Sequence, residues 1–221
     1  MNFEQARVNM IAQQIRPWNV LDEAVLAACS QVPREAFVPQ QYRSLAFADM
    51  QLPLDHGQFM MSPRLEARLL QALELRTSDK VLEIGTGSGF MAALLAALSK
   101  AVCSVEIFQD LVHTAEQKLY QQGVQNVEVI CADGAEGWSD SAPYDAILVT
   151  ASVVEIPLRL KEQLRTGGRL VAVVGEDPIM EARCLQRLDH SNWSETRLLD
   201  TSIAPLLDAA AAVVQRPSFI F

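Results

Sequence analysis

The segment from Val81 to Phe90, which reads VLEIGTGSGF, constrains the fold of this chain more than any other. The run Lys80–Ile84 that leads into it is largely apolar, as expected of a strand buried inside a sheet. Glycines at 85, 87 and 89 have no Cβ atom, so the backbone can turn tightly there and approach a ligand closely. A strand, a glycine turn and a helix in this order indicate a doubly wound α/β sheet that opens to a ligand at the turn.

The rest of the chain continues the alternation of strands and helices. The strands read as runs of Val, Ile, Leu and Ala, which indicates a mostly parallel sheet covered by helices on both faces. We predict core helices at Leu65–Leu75, Gly89–Ser99, Leu111–Gln122 and Pro157–Leu164, and core strands at Lys80–Ile84, Ala101–Val105, Val127–Cys131, Tyr144–Val149 and Arg169–Val174, the last one after a Gly167–Gly168 turn.

Two further parts flank this core in what we predict to be a single domain. Residues 1–64 are expected to form a helical extension, with helices at Met1–Ile15 and Leu21–Val32. The stretch Phe37–Phe59 is expected to be loop-like, with room for one short strand, and to act as a binding surface or lid. Residues 65–180 form the core, and residues 181–221 are expected to add antiparallel edge strands at Cys184–Leu188 and Glu195–Ser202.

Composition excludes several classes of function. The 221 residues are enough for one sizeable core, and the net charge of −9 argues against a nucleic-acid partner. The apolar run Ala209–Val214 is far shorter than the roughly 20 residues that a membrane-spanning helix needs. The four cysteines are scattered without a C-x-x-C pair, so we expect free thiols and no metal site. A cytoplasmic protein is therefore predicted, without a membrane partner and with no prediction of its oligomeric state.

The glycine spacing and one acidic residue narrow the choice of ligand. The pattern is G-x-G-x-G, whereas the dinucleotide fingerprint G-x-G-x-x-G would require a third glycine where Phe90 stands. Glu83 just before the turn would repel a pyrophosphate, but it would suit the amino and sulfonium groups of S-adenosylmethionine. The alternative for Glu83 is a surface residue at a strand end. We therefore predict S-adenosylmethionine at the turn formed by Gly85, Thr86, Gly87, Ser88 and Gly89.

Polar residues after the next strands complete the predicted crevice. Glu106 ends the second core strand, where its carboxylate can accept hydrogen bonds from both ribose hydroxyls. Asp133 and Gly134 follow the third strand, where we expect the adenine edge. Thr150 is predicted to end the fourth strand near the reacting methyl group. Each of these could be an ordinary turn residue, but four successive strand ends together favour a cofactor site.

With these motifs in place, the sequence resembles the protein-L-isoaspartate O-methyltransferases along nearly its whole length. The run Val32–Pro39, VPREAFVP, is the most specific part of the likeness, because methyltransferases in general share the glycine turn but not this segment. The resemblance implies a class I methyltransferase fold and methyl transfer to the α-carboxylate of isoaspartyl residues in damaged proteins. It also covers Gln14–Arg16, Ala48–Asp49, Leu52–Leu54, Gly57–Gln58, Ser104–Glu106, Gly137–Trp138, Ala142–Ile147, Val149–Ala151, Ile156–Pro157 and Gly167–Val171.

The chain departs from the family pattern on the acceptor side. In the family, Gly-Gln is followed by Thr-Ile-Ser, one further residue and Pro, and that Ser is assigned to the active site. Here Met61 stands at the position of this Ser and Phe59 at that of the Thr, so both hydroxyl groups are missing. Ser62 would replace them only if the loop shifted by one residue. We expect Met61, Ser62 and Thr150 to be the residues at the reacting centre.

Three functions compete on these grounds. The first is a protein-repair carboxyl methyltransferase that acts on proteins or peptides. The second is a methyltransferase of the same fold with another, more apolar acceptor, small molecules included. The third is a binding module without catalysis. Phe59, Met60 and Met61 would line the pocket of the apolar acceptor, or they simply pack in the core beneath the lid. His56, adjacent to Gly57, is expected close to the acceptor, whereas His113 is expected to be a solvent-facing residue of a predicted helix.

Overall fold

The computed structural model describes residues 2–208, so Met1 and the Ala209–Val214 run lie outside the described residues. Short strands and helices of the N-terminal part precede a large sheet. The helices are α1 (Phe3–Met10), α2 (Glu23–Gln31), α3 (Arg34–Phe37), α4 (Pro63–Ala72), α5 (Phe90–Leu98), α6 (Gln109–Gln121) and α7 (Leu158–Glu162). The strands are β1 (Leu52–Pro53), β2 (Phe59–Met60), β3 (Lys80–Ile84), β4 (Ala101–Glu106), β5 (Val127–Cys131), β6 (Tyr144–Val153), β7 (Leu164–Glu176), β8 (Ile179–Arg187) and β9 (Trp193–Asp200).

Seven strands form one sheet in the order β5-β4-β3-β6-β7-β8-β9. The pairs from β5 to β7 are parallel, and β8 and β9 continue the sheet as antiparallel strands. The strand order reverses between β3 and β6, because β4 and β5 lie on one side of β3 and the later strands lie on the other. Such a reversal leaves a crevice at the carboxyl ends of the two strands, which is where open α/β sheets bind ligands.

Apolar residues alternate between the two faces of the sheet and form two cores. Val81, Val102 and Leu148 point to the face covered by α4, α5 and the N-terminal helices. Leu82, Cys103 and Ile147 point to the opposite face, where α7 packs. This division explains why the strands are apolar at almost every position and why a single strand shows little period-two pattern. The predicted doubly wound fold with antiparallel edges is confirmed.

The N-terminal extension packs on the first of these cores. Asp22 caps α2 by accepting hydrogen bonds from the backbone N–H groups of Ala24 and Val25, as its position before an apolar helix indicates. The predicted first helix continues beyond α1 as a π-helical segment over Ile11–Ile15 and a 3-10 turn over Arg16–Trp18. Within residues 2–208, no helix combines the length and the apolar character needed to cross a bilayer.

Three sequence predictions need correction in detail. The stretch Phe37–Phe59 contributes two short strands instead of one, because β1 pairs with β2 across a tight connection, and it also includes 3-10 turns. Gly167 and Gly168 do not end an element but form a bulge inside β7, where five residues of β7 span two residues of β6. Thr150 lies inside β6 and not at its end, because the strand continues past a second irregularity between Leu148 and Ser152.

Candidate active site

The glycine turn lies at the carboxyl end of β3, at the reversal of strand order. Thr150 on neighbouring β6 fixes the turn, since its hydroxyl donates to the backbone oxygens of Ile84 at 2.9 Å and Gly85 at 2.6 Å. Gly85 has φ +95°, and a Cβ atom there would lie 2.5 Å from the Thr150 hydroxyl oxygen. Only glycine fits this position, so the turn and Thr150 form one unit.

Glu106 at the end of β4 holds the turn from the other side. One carboxylate oxygen accepts from the N–H of Gly87 at 2.9 Å, and the other accepts from Ile107 at 2.9 Å and Phe108 at 3.1 Å. The side chain is buried, which raises the pKa of the carboxyl group while these three N–H groups oppose the rise. Each carboxylate oxygen has two lone pairs, so Glu106 keeps acceptor capacity towards the cavity that it lines.

One cavity brings the turn together with an apolar wall and with the acceptor-side residues. The turn lines the cavity with Gly85, Thr86, Gly87 and Ser88. Glu106 on β4 and Thr150 on β6 line it next to the turn. The wall beside Glu106 is apolar and contains Gly134, which lies against Ile84 and Val105 so closely that a Cβ atom would come within 3.1 Å of Ile84. This wall consists of Ile84, Val105, Ile107, Phe108, Ala132 and Gly134.

A hairpin of the N-terminal extension covers the cavity opposite the sheet. Its strands β1 and β2 pair around Asp55–Gly57, and Leu54 lies 3.3 Å from where a Cβ of Gly87 would be. His56 adopts φ +57°, stacks on Phe108 with ring centres 4.0 Å apart, and contacts the Asp110 carboxylate at 2.7 Å. The hairpin is therefore tied to the residues that follow Glu106, because His56 lies against Phe108 and Asp110.

The part of the cavity around Met61, where we predict the methyl acceptor and which we call the acceptor end, is apolar. Met60 and Met61 are buried, whereas Phe59 is 46% exposed, and all three line the cavity. A segment from the C-terminal part closes the same end, because the backbone of Ser152 bonds to those of Ala204 and Leu206 and places Pro205 and Leu206 at the wall. The carbonyl of Met61 accepts a 2.7 Å hydrogen bond from buried Arg34, which fixes the backbone at this position.

Glu83 lies behind the turn and does not line the cavity. It is fully buried on the face covered by α4 and α5, so the alternative of a surface residue is wrong. Its Oε2 accepts from Ser104 at 2.5 Å, and the Ser104 hydroxyl also meets that of Thr86 at 2.5 Å. Burial raises the pKa of Glu83 to about 8, with smaller contributions from Glu106 and Glu66. A direct contact to a cationic ligand does not fit this position, and the link from Glu83 to the cavity runs through Thr86.

The comparisons with known proteins follow this geometry. Residues 5–210 match the family model described as protein-L-isoaspartate(D-aspartate) O-methyltransferase. The chain belongs to this family. A protein-L-isoaspartate O-methyltransferase 2 of Pelobacter propionicus is 44% identical over 209 residues, which cover 94% of this chain and 93% of that protein.

Solved structures of methyltransferases with the family's name share the fold. One protein-L-isoaspartate O-methyltransferase has a TM-score of 0.80 at 25% identity, covering 96% of this chain and 68% of that one. A beta-aspartate methyltransferase from Plasmodium falciparum, in complex with S-adenosyl-L-homocysteine, has a TM-score of 0.78 at 20% identity, covering 94% and 99%. The predictions of the family, the fold class, the cofactor and an S-adenosylmethionine-dependent carboxyl methyltransferase are thereby confirmed.

The structure brings together most of the residues that the sequence predicted for this methyltransferase site. Gly85, Thr86, Gly87, Ser88, Glu106, Gly134, Thr150 and Met61 all line the cavity, whereas Glu83, Gly89, Asp133 and Ser62 do not. Asp133 accepts from the N–H of Ala135 and supports the loop that carries Gly134. Gly89 has φ +82° and is the N-cap residue of α5, and a Cβ atom there would lie 3.2 Å from Ala115. Asp133 and Gly89 thus support segments next to the cavity and do not themselves line it.

Sequence reasoning missed several residues of the site. Leu54, Met91 and Leu207 line the cavity, and Arg34 holds Met61 from outside it. Arg34 belongs to the VPREAFVP run, which signalled the family but gave no indication of a contact with a residue 27 positions away. His56, which was expected close to the acceptor, is not among the residues that line the cavity, and it contacts Phe108 and Asp110.

The cavity fits S-adenosylmethionine on the evidence of its own residues. Gly87 and Gly134 line the cavity, and a Cβ atom at either position would press on a neighbouring wall residue, Leu54 at 3.3 Å or Ile84 at 3.1 Å. Glu106 lines the cavity, and its Oε2 accepts a single backbone hydrogen bond and so keeps a lone pair for a ligand hydroxyl. The apolar wall next to Glu106 suits a flat heterocycle. Among residues 2–208 there is no group of three or more His, Cys, Asp and Glu side chains that could hold a metal ion.

Proposed function

We propose that this protein transfers a methyl group from S-adenosylmethionine to the α-carboxylate of isoaspartyl residues in damaged peptides and proteins. The single observation that carries the proposal is the continuity of one cavity. The glycine turn, Glu106 and Met61, which stands at the family's serine position, all line this cavity. Family membership supports the same reaction.

Each part of the cavity would hold one part of the cofactor. Glu106 would accept hydrogen bonds from the ribose hydroxyls, and the wall of Ile107, Ala132 and Gly134 would take the adenine ring. Thr86 and the backbone of Gly85–Gly87 would contact the amino-acid end. When bound, S-adenosylmethionine supplies an electrophilic methyl group on a sulfonium. Thr150 fixes the turn next to the place where that sulfur would lie.

The chain needs no strong base for this reaction. A carboxylate is already ionised and nucleophilic at neutral pH, so the protein acts mainly by aligning the acceptor oxygen and by excluding water. The buried residues at the acceptor end, Met60 and Met61, exclude water from this region. The product ester would collapse to a succinimide outside the enzyme, which returns part of the damaged residues to aspartate.

A second candidate acceptor is a more apolar compound that binds at the same place, and this class of acceptors includes small molecules. The observation that favours it is the run Phe59-Met60-Met61, which lines the cavity with two thioethers and an aromatic ring and offers no hydroxyl donor. A thioether accepts hydrogen bonds weakly and cannot donate one to a carboxylate. This candidate retains the cofactor end unchanged.

The decisive experiment incubates the protein with radiolabelled S-adenosylmethionine and an isoaspartyl peptide. The matched control is the same peptide with a normal aspartyl residue. We expect base-labile label, released as methanol, on the isoaspartyl peptide only. Tight cofactor binding in calorimetry without any label on this peptide would favour the second candidate. Failure to bind the cofactor would contradict both.

Met61→Ser restores the hydroxyl group of the family pattern and tests the acceptor end. Because Arg34 fixes the backbone of Met61 through its carbonyl, the new hydroxyl would stand where the family places it. We expect kcat/KM for the isoaspartyl peptide to rise by about tenfold, the worth of one hydrogen bond to a charged group. Met60→Ser on the preceding residue is the control, and an equal effect of the two changes would contradict the assignment.

The partner and the location of the protein complete the proposal. The acceptor is a peptide or protein segment, as the family's name implies, and the acidic net charge of −9 offers little attraction to nucleic acid. All four cysteines are free, and three of them are buried. Unpaired thiols are typical of reducing compartments, which supports a location in the cytoplasm.

A further inference from the structure

The VPREAFVP run at Val32–Pro39 identifies the family, but neither the cofactor nor the acceptor contacts described above require it. Its third residue, Arg34, is the largest fully buried side chain among the described residues, with 0% of its surface exposed. A buried guanidinium is costly unless each of its donors is satisfied, so its partners show which parts of the molecule it joins.

Arg34 contacts four separate segments of the chain. Its Nε donates to the carbonyl of Ala46 at 2.8 Å, and its second terminal nitrogen donates to the carbonyl of Met61 at 2.7 Å. Its remaining terminal nitrogen forms a buried ion pair with Glu66 on α4. The guanidinium also lies 4.8 Å from the ring centre of Phe90. These contacts satisfy all three nitrogens and surround the planar group.

Two of these partners belong to opposite ends of the active site. Met61 stands at the acceptor end, directly after β2. Phe90 is the first residue of α5 and follows Gly89, the last glycine of the cofactor turn. Phe37 from the same run packs on Phe90 with ring centres 5.7 Å apart, which holds α3 against the start of α5. Arg34 therefore contacts both the residue that follows β2 and the first residue of the helix that follows the cofactor turn.

We propose that Arg34 is a positioning residue that sets the distance between the acceptor carboxylate and the methyl group. This inference rests on the proposed function. Methyl transfer depends on alignment of oxygen, carbon and sulfur, and a displacement of about 1 Å can lower the rate by about 100-fold. The planar fork of arginine can reach Ala46, Met61 and Glu66 at once, whereas a lysine ammonium has a single nitrogen and cannot hold the three partners in one plane.

The first test compares Arg34→Lys with the wild-type protein. We expect kcat for an isoaspartyl peptide to fall roughly 10- to 100-fold, with the dissociation constant of S-adenosylhomocysteine changed less than threefold. The control is Arg7→Lys, because Arg7 pairs with Glu35 of the same run at 2.6 Å but has no contact with Met61. Unchanged kcat in Arg34→Lys, or an equal loss in both variants, would overturn the proposal.

A second variant separates positioning from stability. Arg34→Met combined with Glu66→Leu replaces the buried ion pair with apolar side chains, an exchange that often preserves stability. We expect a cooperative thermal transition and normal S-adenosylhomocysteine binding together with the same loss of kcat. Full activity in this folded double variant would overturn the proposal. If the wild-type protein itself labels no isoaspartyl peptide, the proposed function fails first and the inference about Arg34 fails with it.

Discussion

At the residue scale, Glu106 combines two tasks that a single carboxylate can perform together. It holds the turn through the N–H of Gly87 and the start of the next segment through Ile107 and Phe108. Glu106 also lines the cavity, so a ligand hydroxyl would meet a carboxylate that is already fixed. Preorganisation of this kind lowers the entropy cost of binding.

Glu106→Ala should weaken S-adenosylmethionine binding by about 1–3 kcal/mol, because ribose hydroxyls and backbone N–H groups would lose their acceptor. Isothermal titration calorimetry measures the change. Glu128→Ala provides the control, since Glu128 is an exposed residue on the adjacent strand β5. An affinity equal to that of the wild-type protein would refute the role of Glu106.

Glu83 makes stability depend on pH in a direction that can be worked out. Burial raises its pKa from the ordinary 4.5 to about 8, so the folded protein keeps this proton up to pH 8 whereas the unfolded chain releases it above pH 4.5. Between these values the folded state binds more protons, and the free energy of unfolding falls as pH rises. One buried Oε1 atom without a hydrogen-bond partner fits a group that is neutral at pH 7.

Glu83→Gln should remove this contribution. Urea unfolding of the variant at several pH values between 5 and 8 is expected to show a flatter dependence, with up to about 1.4 kcal/mol per pH unit lost from the wild-type slope. Glu128→Gln serves as the exposed control. Parallel curves for wild type and Glu83→Gln would mean that Glu83 is charged in the folded protein.

At the element scale, the β1–β2 hairpin determines how the cavity is closed. It is held at its tip by His56, whose ring stacks on Phe108 and contacts Asp110, and at its base by Gln51, whose side chain donates to the carbonyl of Ser202. These contacts join it to the start of α6 and to the C-terminal segment. Few long-range hydrogen bonds support so short a pair of strands, so each contact matters for closure.

His56→Asn should open this closure while keeping the backbone, because asparagine tolerates the positive φ of +57°. We expect the affinity for S-adenosylhomocysteine to fall by about fivefold, the equivalent of about 1 kcal/mol from a lost hydrogen bond. His113→Asn is the matched control. His113 is an exposed residue of α6, and its only side-chain hydrogen bond among the described residues is with Gln117. Equal affinities of the two variants would exclude His56 from closure.

At the scale of the whole molecule, one core joins the N-terminal extension to the sheet. Met10, Ile15 and Val25 from the extension share a continuous apolar cluster with Val81 and Leu148 of the strands. The extension is therefore not an appendage that would unfold alone. This shared core supports the proposal that the chain is a single domain, with the acceptor-side elements and the cofactor core stabilising each other.

Thermal unfolding tests this proposal. We expect a single transition, which S-adenosylhomocysteine at 100 times its dissociation constant should move upward by about 5–10 °C as a whole, because it adds about 2.7 kcal/mol to the folded state. Differential scanning calorimetry with and without the ligand measures both features. Two transitions, of which only one moved, would show that the extension unfolds independently.

Sequence alone determined the features that depend on neighbouring residues. The glycine turn, the order of strands and helices and the cavity-lining residues Gly85–Ser88, Glu106 and Gly134 follow from local patterns, and so did the family. Local patterns also placed Met61 at the family's serine position. Strand lengths were less predictable, because the bulges in β6 and β7 depend on how each strand pairs with its neighbour.

Only the tertiary structure decided which side of the turn Glu83 occupies and what Arg34 holds. A strand that is apolar on both faces gives no period from which to assign a side chain to the ligand or to the core, so Glu83 was assigned to the cofactor although it faces α4 and α5. Arg34 meets Glu66 and Met61 only because the chain returns after about 30 residues, and contacts of that separation leave no local pattern in the sequence.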